Sequence, residues 1–234
     1  MYCFQRWIIQ LPVIWLNKYV QQLNLTSIMS KEIYEELTSI KPGTWSQWER
    51  TTANMLMLRT NAIKLLRRNE FKFSDIFPGA RGSIEIMDRK FDTYPDFYRR
   101  RDFPKQFLKN PKNTLQDDIG LFEPGTVWLN GLRGPAFDLW TVYKNKKNPY
   151  RQTREFTISF VQCKFSSANE PLRTTDIIKQ YNELQEMWNN MLIKFKTSPI
   201  EGSNIQPADF DVVFVLVTNR TLQENHVSRF IRIF

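Results

Sequence analysis

The sequence predicts an α/β fold in which helices flank a mixed β-sheet. Two segments rich in aromatic and β-branched residues, 137–143 and 155–166, stand on either side of a polar basic loop, as the strands of a hairpin do. Segment 174–196 has apolar residues at steps of three and four and is typical of an amphipathic helix. Segment 211–218 is almost continuously apolar, which favours a strand buried on both faces.

The beginning of the chain is expected to be an extension of residues 1–41, followed by one domain over residues 42–234. The apolar stretch 7–16 is broken by Gln10 and Pro12 and is too short to cross a membrane. No small-residue cleavage site follows it, so a docking helix or a loosely packed extension is expected instead of a signal peptide.

The domain is expected to open with a helix over 46–68, started by a capping box of Ser46 and Glu49. One stripe of this helix consists of Glu49, Ala53, Leu56 and Ile63. Alternation predicts a first strand at 83–91, and the segment 92–120 is predicted to be a long irregular connection. The resulting order is helix, three strands, helix and strand.

The charge balance favours a polyanionic partner. The chain has 33 basic and 24 acidic residues, a net charge of +9, and a pI near 9.6. Nucleic acid is the first candidate for such a partner and an anionic membrane the second. A basic soluble protein without a polyanionic partner is the alternative.

The scarcity of histidine and cysteine narrows the possible chemistry. His226 is the one histidine, and Cys3 and Cys163 are the two cysteines. Zinc sites of the HExxH or Cys/His type are therefore excluded, and a catalytic triad would have to use His226. The sequence has no GxxxxGK[ST] loop and no GxGxxG fingerprint. An enzyme with this sequence is expected to rely on carboxylates, lysine and a bound metal.

The predicted hairpin brings polar residues together at one end. Gln162 and Lys164 share a face with the apolar residues before them, so this face is expected to leave the core and enter a cleft. Cys163 points the other way and is expected to be a small buried residue. Asp138, on the partner strand, can lie beside Gln162 when the hairpin closes. The alternatives are that Asp138 caps a turn and that Lys164 is a surface lysine.

Asp138, a hairpin and then Gln162-Cys163-Lys164 resemble the D...(E/Q)xK signature of the PD-(D/E)XK nucleases, whose common core has the order αβββαβ. Segments 121–126, 134–138 and 161–166 further resemble nuclease domains of Crinkler and retrotransposon-hot-spot effectors. The resemblance covers about residues 44–220. It implies a restriction-endonuclease-like core and a metal-dependent endonuclease acting on double-stranded DNA.

The resemblance also implies roles for the motif residues. A divalent ion, Mg²⁺ or Mn²⁺, is expected to bind Asp138, the amide oxygen of Gln162 and the backbone carbonyl of Cys163, to polarise the phosphate and to acidify a water. Lys164 is expected to position that water or to stabilise charge on the phosphate. Family members usually have an acidic residue where this chain has Gln162, and an amide binds Mg²⁺ less strongly than a carboxylate because it has no formal charge.

Two further positions follow from the resemblance. Glu49 corresponds to an additional metal-site acid, and Gln180 to a polar helix residue that faces the cleft. The alternative for Glu49 is a role in the capping box, and the alternative for Gln180 is a solvated position. Effectors of this group often have an upstream NTPase domain and a translocation header, and neither is seen here. Secretion and action in a host nucleus therefore stay open.

Two basic clusters are expected to form a rim beside the cleft that contacts phosphates. They are Arg99, Arg100 and Arg101, and Lys144, Lys146 and Lys147. The alternative is that both are solvated surface charge. Two rival functions also stay open, namely a catalytically impaired nucleic-acid-binding module on the same fold and an interaction module whose target is a protein.

Overall fold

A computed structural model of the protein describes residues 45–77, 80, 83–103, 119–130, 136–147, 154–164, 171–197 and 207–218. The predicted extension, His226 and Cys3 lie outside these described residues. So do most of the connection predicted at 92–120 and part of the segment 134–138 that carries the resemblance.

The described residues form four helices and seven strands. In chain order they are α1 (Trp45–Leu65), β1 (Glu70–Lys72), α2 (Phe73–Ile76), α3 (Ile84–Met87), β2 (Lys90–Asp92), β3 (Arg99–Asp102), β4 (Thr126–Leu129), β5 (Leu139–Lys144), β6 (Phe156–Lys164), α4 (Thr174–Thr197) and β7 (Phe210–Thr218). Short 3₁₀ turns at Ile119–Phe122 and Pro207–Asp209 precede β4 and β7.

The main sheet has five strands in the order β3-β4-β5-β6-β7. Strands β4, β5 and β6 are antiparallel neighbours, whereas β3 is parallel to β4 and β7 is parallel to β6. Strands β1 and β2 form a separate antiparallel pair. The predicted α/β class, with a mixed sheet flanked by helices, is confirmed.

The two faces of the sheet pack into different cores because side chains alternate along each strand. On one face, strand residues pack with α1 residues: Leu139, Tyr143, Val161 and Cys163 with Ala53, Leu56 and Ile63. On the other face, strand residues pack with α4 residues: Trp140, Val142, Ile158 and Phe160 with Ile177, Leu184, Trp188 and Met191. A fully buried leucine in such a core contributes about 1.5–3 kcal/mol, so both helices are held firmly against the sheet.

The long periodic segments are confirmed with small changes in their bounds. The strand predicted at 155–166 is Phe156–Lys164, and the helix predicted at 174–196 is Thr174–Thr197. The two other strands, predicted at 137–143 and 211–218, and the helix predicted at 46–68 also form. Helix α1 begins at Trp45, so Ser46 is a helical residue and the predicted capping box at Ser46 is wrong.

The strand predicted at 83–91 is wrong. A helix of four residues, α3, occupies its first half, and the short strand β2 occupies its end. The Oγ atom of Ser83 accepts a hydrogen bond from the backbone N–H of Ile86 at 3.3 Å. This N-terminal cap satisfies a helix N–H group and favours a turn of helix over the alternating pattern.

Strands β3 and β4 were not predicted, and the prediction of an irregular connection is wrong where β3 forms. Gly125 ends the turn before β4 with φ of +106°, and a Cβ atom there would overlap the ring of Tyr94. Its carbonyl accepts the N–H of Arg99 at 2.9 Å, which aligns the start of β3 with β4. A glycine that must adopt this conformation therefore sets the position of both strands.

A buried ion pair joins the β1–β2 pair to the main sheet. The guanidinium of Arg89, which precedes β2, donates to the carboxylate of Asp211 on β7 at 2.6 Å and to Thr157 on β6 at 3.0 Å. The side chains of Arg89 and Asp211 are 9% and 14% exposed. Removing one member of such a pair leaves a charge in a site with little water.

Replacing Arg89 by methionine is expected to lower the free energy of unfolding by up to about 3–5 kcal/mol, because Asp211 loses its closest partner and keeps only the more distant Arg154, at 3.9 Å. Urea denaturation measures this loss. The control is Lys72→Ala, which breaks an exposed ion pair with Asp88 in the same part of the fold and is expected to cost less than about 1 kcal/mol. Equal losses for the two variants would contradict a special role for the Arg89–Asp211 pair.

Candidate active site

One end of the main sheet gathers the polar motif residues. The strand register aligns Leu129, Leu139 and Val161 across β4, β5 and β6. Asp138 immediately precedes this row on β5, and Gln162 immediately follows it on β6. We call this end, where β5 begins and β3, β4, β6 and β7 finish, the site end of the sheet.

Asp138 is held by hydrogen bonds from β6. Its Oδ2 atom accepts the backbone N–H of Cys163 and the side-chain amide of Gln162, each at 2.5 Å. The backbone N–H of Asp138 donates to the carbonyl of Val161 at 2.9 Å. The carboxylate thus takes the place of a backbone acceptor in the sheet ladder, and Asp138 lies beside Gln162 as predicted.

The side chain of Gln162 presents its amide nitrogen to Asp138. Nε2 also lies 3.5 Å from the carbonyl oxygen of Cys163. A carboxylate and a carbonyl are both acceptors, so the group between them has to be the donating NH₂. The sequence-based expectation placed the amide oxygen toward a metal ion, and the structure differs because a donor satisfies two buried acceptors. For its oxygen to bind a cation there, Gln162 would have to rotate its amide.

Glu49 and Lys164 are electrostatic neighbours of Asp138. Burial and, to a smaller extent, the charge of Asp138 raise the pKa of Glu49 to about 7, although the charge of Lys164 opposes this shift. Burial also raises the pKa of Asp138 to about 6, although the hydrogen bond from the Cys163 N–H and the charge of Lys164 both oppose this rise. Because α1 projects Glu49 toward the other two residues, two carboxylates and one ammonium group lie within electrostatic reach of one another.

Cys163 is fully buried on the α1 side of the sheet, as predicted. Burial raises the pKa of its thiol well above the usual value, and a hydrogen bond with Thr52 of α1 partly offsets this. The thiol therefore stays protonated at neutral pH and acts as packing. Only the backbone groups of Cys163 face the carboxylate of Asp138.

The oxygen donors at this end of the sheet suit a hard cation. The carboxylate of Asp138 and the carbonyl of Cys163 both face one polar group, and Glu49 adds a second carboxylate nearby. Oxygen ligands of this kind are the ones that Mg²⁺ prefers. Within the described residues, no group of three or more His, Cys, Asp or Glu side chains is placed to hold a metal ion. A cation here would therefore depend on the Gln162 amide and on backbone oxygen as well.

The raised pKa values of these two carboxyl groups make the free energy of unfolding depend on pH when no metal is bound. The folded-state pKa values of Asp138 and Glu49, about 6 and about 7, lie above their ordinary values of 3.8 and 4.5. Between about pH 4 and 7 the folded state binds more protons than the unfolded state, so stability falls as pH rises. Below about pH 4 both groups are protonated in the folded and the unfolded state, so they do not destabilise the fold. Above about pH 7 both groups are ionised in the folded state, and their burial then destabilises the fold by the full amount.

Urea denaturation in EDTA at pH 5 and pH 8 measures this effect. Asp138→Asn is expected to reduce the difference between the two pH values, because the asparagine does not ionise. Thr52→Ser, which leaves both carboxyl groups in place, is the control. An unchanged pH dependence in Asp138→Asn would contradict the burial of this carboxylate.

The arginine cluster forms the edge strand β3 and divides between two faces. The guanidinium of Arg100 donates to the Oδ1 atom of Asn54 on α1 at 2.9 Å. Arg101 is exposed and lies over the ring of Trp128, 5.9 Å from its centroid. Arg99 is exposed on the same face as Arg101, by alternation. Arg100 is thus a packing residue, and Arg101 and Arg99 are free to face a ligand.

Arg101 lies on the same face of the sheet as Trp128 and Trp140, toward the end at which Asp138 precedes β5. It pairs with Trp128, which pairs with Trp140, and Asp138 lies two residues before Trp140, just outside the strand. The spacing of strands and residues puts the two Cα atoms roughly 12 Å apart. The sequence predicts the three arginines as one cluster. Strand alternation separates Arg100 from Arg99 and Arg101, and the sequence pattern alone does not identify the four-residue strand β3 that causes this separation.

The lysine cluster lies at the opposite end of the sheet, and its predicted position beside the cleft is wrong. Lys144 pairs with Phe156, six residues along β5 from Asp138, a distance of roughly 20 Å. Lys146 forms an ion pair with Glu70 of β1, and Lys147 is exposed. The hairpin loop that carries these lysines joins the ends of β5 and β6 that are remote from Asp138.

Gln180 lies half-buried on α4, and its predicted role stays a prediction. No described helix is both long enough and apolar enough to cross a membrane. No protein-family model, curated protein or solved structure matches the chain.

Proposed function

We propose that this protein is a metal-dependent endonuclease of the PD-(D/E)XK type that cleaves the phosphodiester bonds of DNA. The observation that carries the proposal is the group of Asp138, Gln162, Lys164 and Glu49 at one end of the sheet. Two carboxylates and an ammonium group can supply the metal ligands and the positive charge for such a reaction without a histidine, and no histidine lies among the described residues.

The order of elements supports the proposal. Helix α1, strands β4, β5 and β6, helix α4 and strand β7 follow one another as in the αβββαβ core that the resemblance implies. The antiparallel run from β4 to β6 and the parallel β7 agree with a single mixed sheet of that kind. On this interpretation β3 and the β1–β2 pair are additions between the first helix and the first core strand.

The residues present fit a divalent cation such as Mg²⁺ or Mn²⁺. Asp138, the carbonyl of Cys163 and the rotated amide of Gln162 would hold it, with Glu49 as a further acid. When bound, the cation would neutralise charge on the phosphate and acidify a water. The positive charge of Lys164 lies close to both carboxylates, and in the proposed reaction it would stabilise negative charge on a phosphate group.

A second function is favoured by one observation. The amide nitrogen of Gln162 already donates to Asp138 and lies near the Cys163 carbonyl, so these two acceptors have a donor without a cation. A protein that binds nucleic acid but no longer cleaves it would have such a site. In that case the basic surface, including Arg101, would retain the affinity for DNA.

The experiment that tests these functions is incubation of the protein with supercoiled plasmid in Mg²⁺, in Mn²⁺ and in EDTA. Nicking or linearisation that requires the metal and is lost in Asp138→Asn supports the nuclease. A mobility shift in EDTA without cleavage in either metal supports the binding module. Neither cleavage nor a shift would contradict both functions and favour a protein target.

Arg101→Ala is expected to weaken DNA binding about equally for unrelated sequences, because contacts with phosphates carry no sequence information. The slope of log affinity against log salt should fall by about 0.9, the contribution of one phosphate contact. Fluorescence anisotropy in Ca²⁺ measures both quantities. Arg99→Ala removes the same charge from the same face two residues farther from the site end and should have the smaller effect.

A loss of affinity confined to one DNA sequence would contradict the phosphate contact and would indicate that Arg101 reads bases. An equal effect of Arg99→Ala would show that only the total charge matters, and not the position of Arg101 near Asp138. Arg100→Ala is a second comparison, because this residue binds Asn54 and its loss is expected to reduce stability more than DNA affinity.

A further inference from the structure

We infer that Asn130 is a positioning residue that fixes the direction in which Asp138 presents its carboxylate. Asn130 immediately follows β4, next to the start of β5. Its backbone N–H donates to the carbonyl of Asp138 at 2.7 Å. Its side-chain Nδ2 donates to the carbonyl of Phe137 at 3.1 Å. Both carbonyls flanking the Cα atom of Asp138 are thus held by one residue.

These bonds restrict the backbone of Asp138. The peptide unit before its Cα atom is held by Asn130 at the carbonyl and by Val161 at the N–H, and the unit after it is held by the N–H of Asn130. Peptide units are planar, so fixing both units fixes the two dihedral angles between them. The Cα–Cβ bond of Asp138 then points toward the N–H of Cys163.

The segment before Asp138 makes this support necessary. Ala136 has φ of 63°, a left-handed conformation that a residue with a Cβ atom adopts at a cost. The chain therefore bends at Ala136, just before β5. Without the Nδ2 bond of Asn130, this bend would relax and carry the Asp138 carboxylate away from Cys163.

A residue with matching hydrogen bonds lies at the other end of β5. Asn145 donates from its backbone N–H to the carbonyl of Glu155 and from Nδ2 to the carbonyl of Arg154, both at 2.8 Å. It repeats the two-bond pattern of Asn130 but lies where β5 ends, far from Asp138. Asn145→Ala is therefore a control for loss of hairpin stability alone.

The decisive variant is Asn130→Asp, which keeps the size and shape of the side chain but cannot donate to Phe137. Hydrogen exchange of the Cys163 amide, which donates to Asp138, should accelerate about fivefold to tenfold, the effect of losing about one hydrogen bond. The amide of Phe160, in the middle of β6, provides the internal reference. Asn145→Ala should leave the ratio of the two rates unchanged.

The inference about catalysis rests on the proposed function. In Asn130→Asp the kcat for plasmid cleavage is expected to fall about tenfold while the KM for DNA stays unchanged. The reason is that the Asp138 carboxylate is misplaced, whereas the residues that contact DNA are not. Unchanged exchange of Cys163 in Asn130→Asp, or an equal change in Asn145→Ala, would overturn the positioning role. Exchange needs neither metal nor DNA, so accelerated exchange in a protein that never cleaves would refute the nuclease and keep the positioning role.

Discussion

Replacing Lys164 by alanine is expected to abolish cleavage while leaving the affinity for DNA nearly intact. The ammonium group lies close enough to Asp138 and Glu49 to oppose the rise in the pKa of both carboxyl groups. A single donor directed at charge that develops during a reaction contributes about 10²–10³-fold to the rate. One phosphate contact among many changes the salt slope of binding by only about 0.9.

The backbone of Lys164 is not disturbed by this change. Its carbonyl accepts the hydroxyl of Thr218 on β7 at 2.8 Å, and an alanine retains that bond. Lys144→Ala is the matched control, since it removes an exposed lysine from β5 at the opposite end of the sheet. Cleavage rates and binding in Ca²⁺ are measured for both variants. Equal loss of binding and cleavage in Lys164→Ala would make this residue a surface contact.

The parts of the fold that the sequence predicts are those with long, strongly periodic patterns. Strand β6 and helix α4 have enough residues for periods of two and 3.6 to be recognised. The pairing of Asp138 with Gln162 follows from the same patterns, because the segments before and after the loop read as neighbouring strands. Alternation along β6 then separates Cys163 from Gln162 correctly.

The parts that were not predicted depend on contacts between distant segments or on local capping. Strand β3 consists almost entirely of arginine, and its stability comes from β4, from Asn54 on α1 and from Trp128. Strands of four residues are too short for alternation to identify them. The helix α3 arises from the cap at Ser83, which outweighs the β-type pattern of the residues after it.

The details of the site depend on register and on hydrogen-bond chemistry. The lysine loop is close to Asp138 in the sequence, but a hairpin puts its loop and its open ends at opposite ends of the sheet. The orientation of the Gln162 amide follows from the two acceptors that surround it, and one of these, Asp138, lies 24 residues away. The supporting role of Asn130 depends in the same way on neighbours in β5.

Replacing Gln162 by glutamate is expected to destabilise the protein without metal and to strengthen the binding of Mg²⁺. In the wild type, Nε2 donates to Asp138 and lies near the carbonyl of Cys163. Glutamate replaces this donor by a carboxylate oxygen, so two negative charges and a carbonyl oxygen meet with no donor between them. Asp138 keeps the N–H of Cys163 but loses the second of its two donors; a hydrogen bond to a charged group contributes about 1.5–3 kcal/mol, and repulsion between the carboxylates adds to this loss.

A divalent cation removes both causes of the lower stability of Gln162→Glu, namely the missing donor and the repulsion between the carboxylates. It attracts the two carboxylates and replaces the missing donor, so melting temperature should rise far more on addition of Mg²⁺ in Gln162→Glu than in the wild type. A gain of 1.4 kcal/mol in metal binding would move the Mg²⁺ midpoint of cleavage about tenfold lower. If the wild type binds DNA without cleaving it, cleavage that appears in Gln162→Glu would show that this one amide prevents the reaction.

Gln185→Glu is the control, because it makes the same chemical change at a half-buried position on α4 for which no role in the site is proposed. Melting temperatures with EDTA and with Mg²⁺, and the Mg²⁺ midpoint of cleavage, are measured for the wild type and both variants. The control is expected to leave the midpoint unchanged. If Gln162→Glu also leaves both the midpoint and the metal-dependent stabilisation unchanged, Gln162 does not face the metal. The motif of Asp138, Gln162 and Lys164 on which the proposed nuclease site depends would then be contradicted at its central residue.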